Sequence, residues 1–235
     1  GLDISTNVFF EKNNSGIING IFNLEIFDNF LKFNFIKDEN IKLTNSFIRS
    51  KLINSSLKGT VAFNPNFFLN LDFDISNINA EKLFVFMKKI YFSDNINNLS
   101  LVKKLNGIFN FKSKFEGTII NENGKIFLKD FKVGKNKSLF FNAKIIEFGK
   151  KGKIQFNLIK TGKNKRDLKK RIEIIGFLIP TSSKIVFDKF LINGTKLSTE
   201  KTKEYENDFK ETIIQNSLTN IFNENKINKY FKNLF

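Results

Sequence analysis

The chain has 235 residues and contains no His and no Cys, so acid–base or nucleophilic chemistry would fall to carboxylates, amines and hydroxyls. Disulfide frameworks, zinc fingers, thiol nucleophiles and His-dependent triads are excluded within it. Asp72 and Asp74 come closest to a catalytic arrangement, standing at i and i+2 in the stretch FFLNLDFDI. Two carboxylates on one strand face could serve as general acid and base. Their neighbours argue for a plainer role. Phe67, Leu69, Leu71, Phe73 and Ile75 alternate with the polar positions, so the acids belong to the wet face of a half-buried strand. Glu204, Glu206, Asp208 and Glu211 stand among lysines in a helical stretch and read as ordinary surface charge. Glycines at 117, 124, 134, 149, 152 and 162 have the spacing of turns, and no glycine-rich phosphate loop occurs. These residues predict no enzyme, with neither a catalytic set, nor a metal site, nor a cofactor.

Positive charge is the second chemical signal. The net charge of +16 is concentrated in the middle of the chain. Residues 1–100 carry ten Lys/Arg and ten Asp/Glu, whereas residues 101–171 carry twenty against five. KKGK (150–153) and KNKRDLKKR (163–171) would suit nucleic acid if taken alone. They fall at strand ends and turns, and the phenylalanines nearby fall on the opposite, apolar faces, so no base-stacking platform is expected. A solvated, lysine-rich face with protected edges is the first reading. Anionic lipid head groups are the second, and nucleic acid is the least favoured.

The elements that would carry these groups are mostly strands. The first block, 1–78, runs through GIINGIFNLEIF, LKFNF, IKLTNSFIRSKLI and LKGTVAF into FFLNLDFDI. It alternates apolar and polar residues with short polar connections, the rhythm of an antiparallel meander. A turn is expected near Asn45. Residues 79–100 break the rhythm: Leu83, Phe84, Met87, Ile90 and Tyr91 recur at helical spacing, Asn79 can cap, and a polar linker follows. The second block, 101–196, is basic and returns to alternation. It places Phe109, Phe111 and Phe115 against Asn110, Lys112 and Lys114, then Leu139, Phe141 and Ile145 against Asn142 and Lys144. Ile154, Phe156 and Leu158 follow, with a kink expected near Asp130 and the most buried strand at RIEIIGFLIP. From 197 to 235 a helical cap is expected, with Tyr205, Phe209, Ile213, Leu218, Ile221 and Phe222 on one stripe and a second short helix after Asn225.

Hydrophobic residues make up 41% of the chain, ample for a core, and 31 of all residues are Phe. Phe, Lys, Asn and Ile have AT-rich codons, so an AT-rich genome accounts for the choice of Phe but not for its alternation. No apolar run approaches the roughly 20 residues of a membrane-spanning helix. A start at Gly1 already close to a strand suggests a piece of a longer protein. Three architectures satisfy the alternation equally: a sandwich, a closed small barrel, and a long curved open sheet with an apolar trough.

SNINAEKLFVFMKK (76–89) followed by LNGIFNFKSKFEGTI (105–119) resembles a recurring element of the AsmA family. There a strand enters a short Leu-rich helix, and a strand with spaced glycines follows. Leu105, Gly107, Phe109, Phe111, Phe115 and Gly117 fill those places here. GKIFLKDFKVG (124–134) and GFLIP with KIVFDKFLINGTKLS resemble the strands and terminal cap that follow, so the likeness covers residues 70–235. It implies a mainly β fold, a twisted antiparallel meander forming an open, taco-like groove, with a short helix between two strand blocks and C-terminal helices. It further implies a bridge-like phospholipid carrier of the Gram-negative envelope, anchored in the inner membrane with its body in the periplasm. Such a protein catalyses nothing, supports outer-membrane biogenesis, and has no nucleic-acid partner. The groove would be lined by Phe67, Leu69, Leu71, Phe73, Ile75, Phe109, Phe111, Phe115, Leu139, Phe141, Ile145, Ile154, Phe156 and Leu158. A basic rim for head groups would use Lys112, Lys114, Lys144, Lys150, Lys151 and Lys153. The rival expectation is a structural or assembly-factor module for outer-membrane proteins that carries no lipid, its apolar face plugged by its own helices.

Overall fold

The computed structural model describes residues 4–26, 29–64, 66–92, 104–113, 115–133, 138–163, 168–215 and 217–235. The strands are β1 (Ile4–Lys12), β2 (Ile18–Ile26), β3 (Asn29–Lys37), β4 (Ile41–Arg49), β5 (Ile53–Ala62), β6 (Phe68–Ile78), β7 (Asn106–Lys112), β8 (Phe115–Glu122), β9 (Lys125–Val133), β10 (Leu139–Glu147), β11 (Lys153–Lys163), β12 (Lys169–Ile179), β13 (Lys184–Ile192) and β14 (Thr195–Lys196). All fourteen join one sheet in chain order, and its two edges do not pair. The protein is therefore an open sheet, neither a barrel nor a sandwich of two sheets.

Every neighbouring pair is antiparallel except β6 and β7, which run parallel. A parallel pair needs a long return connection, and helix α1 (Ala80–Tyr91) supplies part of it. Asn79 caps α1 by accepting from the Lys82 backbone N–H at 3.0 Å. The sequence separates the two blocks at this helix, yet the sheet passes through the boundary without a break.

Local chemistry sets the turns and bends. Asn123–Gly124 and Asn193–Gly194 both have positive φ at each residue, the conformation that tight two-residue hairpins require. Asn45 does not make the expected turn. It sits at φ 41° as a bulge inside β4, where pairing with β3 and β5 slips. Ser46 beside it is 1% exposed. Its hydroxyl accepts the Asn34 N–H at 3.0 Å and donates to the Thr44 carbonyl at 3.0 Å, which makes burial of a polar group tolerable. The kink expected at Asp130 is present as a second bulge, φ 51°, held by the Asn142 side chain accepting the Asp130 N–H at 2.7 Å.

The C-terminal segment folds back on the last strands. Helix α2 (Thr199–Phe209) is capped by Ser198 and runs into a π-helical turn, Lys210–Ile214. The expected stripe does not continue as one helix. Gln215 adopts φ 41°, and a 3-10 turn (Leu218–Phe222) leads to α3 (Glu224–Lys232). This reversal lets α2 and α3 both face the sheet. Phe209 meets Tyr230 edge-on at 5.1 Å, and Phe187 of β13 meets Phe209 at 5.2 Å. The Tyr230 hydroxyl donates to the Tyr205 carbonyl at 3.1 Å. The main core comprises these residues with Leu139, Phe141, Phe156, Leu158, Ile172, Ile174, Phe190, Ile213 and Phe231.

Candidate functional site

Strand register puts the alternating apolar residues on one continuous face. Val8 pairs with Phe22 and Phe22 with Phe33; Leu57 pairs with Phe73 and Phe73 with Phe111; Phe141 pairs with Leu158 and Leu158 with Ile174. Neighbouring rings stack along it, Phe22 on Phe33 at 6.0 Å, Phe73 on Phe111 at 5.1 Å, and Phe115 on Phe131 at 4.9 Å. Small residues make room for rings. A Cβ at Gly117 would collide with the ring of Phe131.

Cover over this face changes along the sheet. From β9 onward it lies under α2, α3 and the turns between them, and Phe84 of α1 and Phe115 of β8 pack against the same core. From β2 to β8 most of its large side chains are only half-buried, and Val8 and Phe10 on β1 are 49% and 67% exposed. Buried positions do occur there, with Leu43, Leu57 and Ile75 at 8%, 4% and 4% exposure, outside the main core cluster. Exposure thus falls from the β1 edge toward β4–β6.

The expected groove residues divide along this line. Leu69, Leu71, Phe73, Phe109 and Phe111 are half-buried on the stretch outside the main core, Ile75 is buried there, and Phe115 is half-buried but packs against that core. Phe67 precedes β6, is 41% exposed, and packs on Phe63 at 5.8 Å. Leu139, Phe141, Phe156 and Leu158 are core residues beneath the C-terminal helices, between 1% and 6% exposed, and Ile154 packs against that core. Ile145 is buried as well. For these the groove expectation is corrected: alternation identified the face but could not reveal the lid on it. Phe22, Leu24, Leu31, Phe33, Phe35 and Val61 are half-buried on the same stretch, with Leu57 buried among them, and none was among the expected lining residues. Their own alternation was the available signal.

The expected basic-rim lysines divide between strand ends, the β10–β11 turn and mid-strand. Lys112, Lys144 and Lys153 stand on the outer face, because each neighbours a residue of the apolar face in its strand. Lys144 lies over the ring of Phe127 at 5.4 Å, with Lys129 at 5.8 Å, and Lys153 lies over Phe177 at 5.2 Å. Phe127 and Phe177 thus interleave with lysines on the outer face, whereas the phenylalanines near the basic segments were expected on the opposite one. Lys150 and Lys151 are exposed in the β10–β11 turn, and Lys114 lies outside the described residues.

Asp72 and Asp74 are exposed on this outer face, beside Lys58, Asn110 and Lys112 in an open hollow of about 520 Å³. Asn110 donates to Asp72 at 2.8 Å and accepts from the Thr118 hydroxyl at 2.9 Å, which makes a polar ladder across three strands. A half-buried lysine and a buried tyrosine are perturbed at the covered end. Burial lowers the pKa of Lys160, whose ammonium donates to Ser138 at 2.7 Å and Asn228 at 2.9 Å. Burial chiefly raises that of the Tyr230 phenol, with Asp208 adding to it.

Neither a protein-family model, nor a curated protein, nor a solved structure matches the chain. No helix among the described residues is long and apolar enough to cross a membrane. Among the same residues no group of three or more acidic side chains could hold a metal ion.

Proposed function

We propose that the protein binds phospholipid acyl chains on the uncovered part of its apolar sheet face and supports lipid transport between the inner and outer membranes, as the C-terminal part of an AsmA-like periplasmic protein. One observation carries the reading. A single apolar face crosses the whole sheet, and the core under the chain's own helices reaches from Phe115 of β8 onward, which leaves the half-buried apolar side chains of β2–β7 outside it. Each methylene moved from water onto Leu71, Phe73, Phe109 or Phe111 contributes about 0.8 kcal/mol, so a tail of ordinary length gains enough to be held without any directional bond. Head groups would remain in water beyond the strand ends. Of the AsmA-like motif residues, Phe109 and Phe111 fall on this stretch, whereas Gly107 is buried, Phe115 packs against the main core and Gly117 lies against the ring of Phe131.

Native mass spectrometry of the chain purified from a Gram-negative host, with lipid extraction of the same sample, tests the reading. Stoichiometric phospholipid is the expected result. A lipid-free mass together with a cooperative unfolding transition would overturn it in favour of an assembly module. That module is favoured by one observation, the burial of Leu139, Phe141, Phe156 and Leu158 under the chain's own helices.

A further inference from the structure

Helix α1 has two unlike sides. Leu83, Phe84, Met87 and Tyr91 are half-buried, and Phe84 packs against the main core. The other side presents Lys82, Val85, Phe86 and Lys89, all exposed, with Val85 at 49% and Phe86 at 47%. Spacings of three and four residues bring these four side chains into one patch. Lysines near the helix C-terminus complement its dipole, which accounts for Lys88 and Lys89. It does not account for an adjacent Val and Phe in water, nor for Lys82 in the first turn.

The end of α1 is fastened to two turns of the sheet. The Gly149 N–H donates to the Tyr91 carbonyl at 3.0 Å, and the Lys88 ammonium donates to the Thr181 carbonyl at 3.4 Å. The Thr181 hydroxyl donates to the Lys150 carbonyl at 3.0 Å, and Tyr91 packs on Phe148 at 6.3 Å. These turns add exposed Lys150, Lys151 and Lys184, and Ile146 at 46% exposure. Glu81 and Glu147 are the acids nearby in the described residues, and Glu147 pairs in register with Lys153.

We infer that the exposed side of α1, with the turns at its C-terminal end, docks on an anionic lipid bilayer, with Val85 and Phe86 entering the head-group boundary and the lysines meeting lipid phosphates. Exposed apolar side chains framed by cations are the pattern of a helix lying in a membrane interface, and each lysine close to an anionic leaflet strengthens binding by about fivefold. Nucleic acid fits less well, since the patch offers one aromatic ring rather than a run of stacking rings. Docking is independent of the trough, because a chain with an empty trough keeps the same patch.

Co-sedimentation of the full chain with vesicles tests it. Binding is expected to phosphatidylcholine vesicles that contain phosphatidylglycerol, weakening with salt, and not to pure phosphatidylcholine. The double variant Lys82→Ala/Lys89→Ala should bind about thirtyfold more weakly. Val85→Ser/Phe86→Ser should weaken binding at every salt concentration while keeping the salt dependence. All four side chains are exposed, so both variants should melt like the parent and, if the trough carries lipid, retain it in native mass spectra. Unchanged vesicle binding by both variants, no preference for anionic vesicles, or tighter binding to a single-stranded oligonucleotide would each overturn the docking inference and leave the trough reading untouched.

Discussion

Strands β1–β8 and β9–β14 have the same alternation, the same ring stacking and one shared face, yet they differ in what lies above it. Over β9–β13 the C-terminal helices bury Phe190, Ile172 and Ile174 completely, at 0% exposure. Over β1–β3 the equivalent face is open or half-open. The sheet edges differ in the same way. At the far end the β13 backbone is served by the two-residue β14, and the Phe187 N–H donates to the Glu206 carboxylate of α2 at 2.6 Å. At the near end β1 presents nine residues, with Phe9 and Phe10 at 65% and 67% exposure. An exposed apolar edge invites pairing. The comparison teaches that a period-two pattern specifies a face, while a separate element decides whether that face becomes core or surface.

The sharpest way to break this comparison is to place the same charge on both halves. Phe141→Asp puts a carboxylate at a 6% exposed site under the helices and should cost several kcal/mol or abolish folding. Phe111→Asp, half-buried and stacked on Phe73, should leave a cooperative melt while removing bound phospholipid. Circular dichroism melts read with native mass spectra check the pair, and equal destabilisation would erase the distinction between the halves. Truncation gives the next largest effect. Phe209→Ala should lose about 3–5 kcal/mol in denaturant titration, against well under half of that for Phe33→Ala on the open face. Gly117→Val, at the border between the halves, must displace the Phe131 ring and should cost about 1–3 kcal/mol.

The smallest effect is a pH dependence confined to the covered half. The Tyr230 phenol is raised above its ordinary 10.0 by burial. Its contribution to stability is therefore complete below pH 10.0 and is lost as pH rises further, because the unfolded chain releases a proton that the folded chain keeps. Tyr230→Phe should flatten the alkaline fall in Tm, at a cost of about 1 kcal/mol at neutral pH for the lost bond to Tyr205.

Much of this was legible in the chain itself. Alternation at Phe22, Leu24 and Ile26, and again at Phe109 and Phe111, announced strands. The helical spacing from Leu83 to Tyr91, the Asn79 and Ser198 caps and the Asp130 kink were readable because each depends on near neighbours. The reversal at Gln215, the Asn45 bulge and the parallel pairing of β6 with β7 were not. Each depends on where distant residues lie, such as Ser46 reaching Asn34 on another strand. Alternation already set Lys112 and Lys144 opposite the phenylalanines of their strands, and the rim reading came from the family resemblance. Register across β8–β12 then placed Lys144 and Lys153 on the outer face beside Phe127 and Phe177.

By itself, then, the sequence determined a mainly β chain with one apolar face, a helix between two strand blocks and a helical close, since period and capping act over a few residues. Only the tertiary structure decided that the sheet stays open and that the last helices return over β9–β13. Leu139, Phe141 and Leu158 became core for that reason, whereas Phe73 and Phe111 stayed uncovered. Burial depends on which elements meet in space, and identical alternation is compatible with either fate.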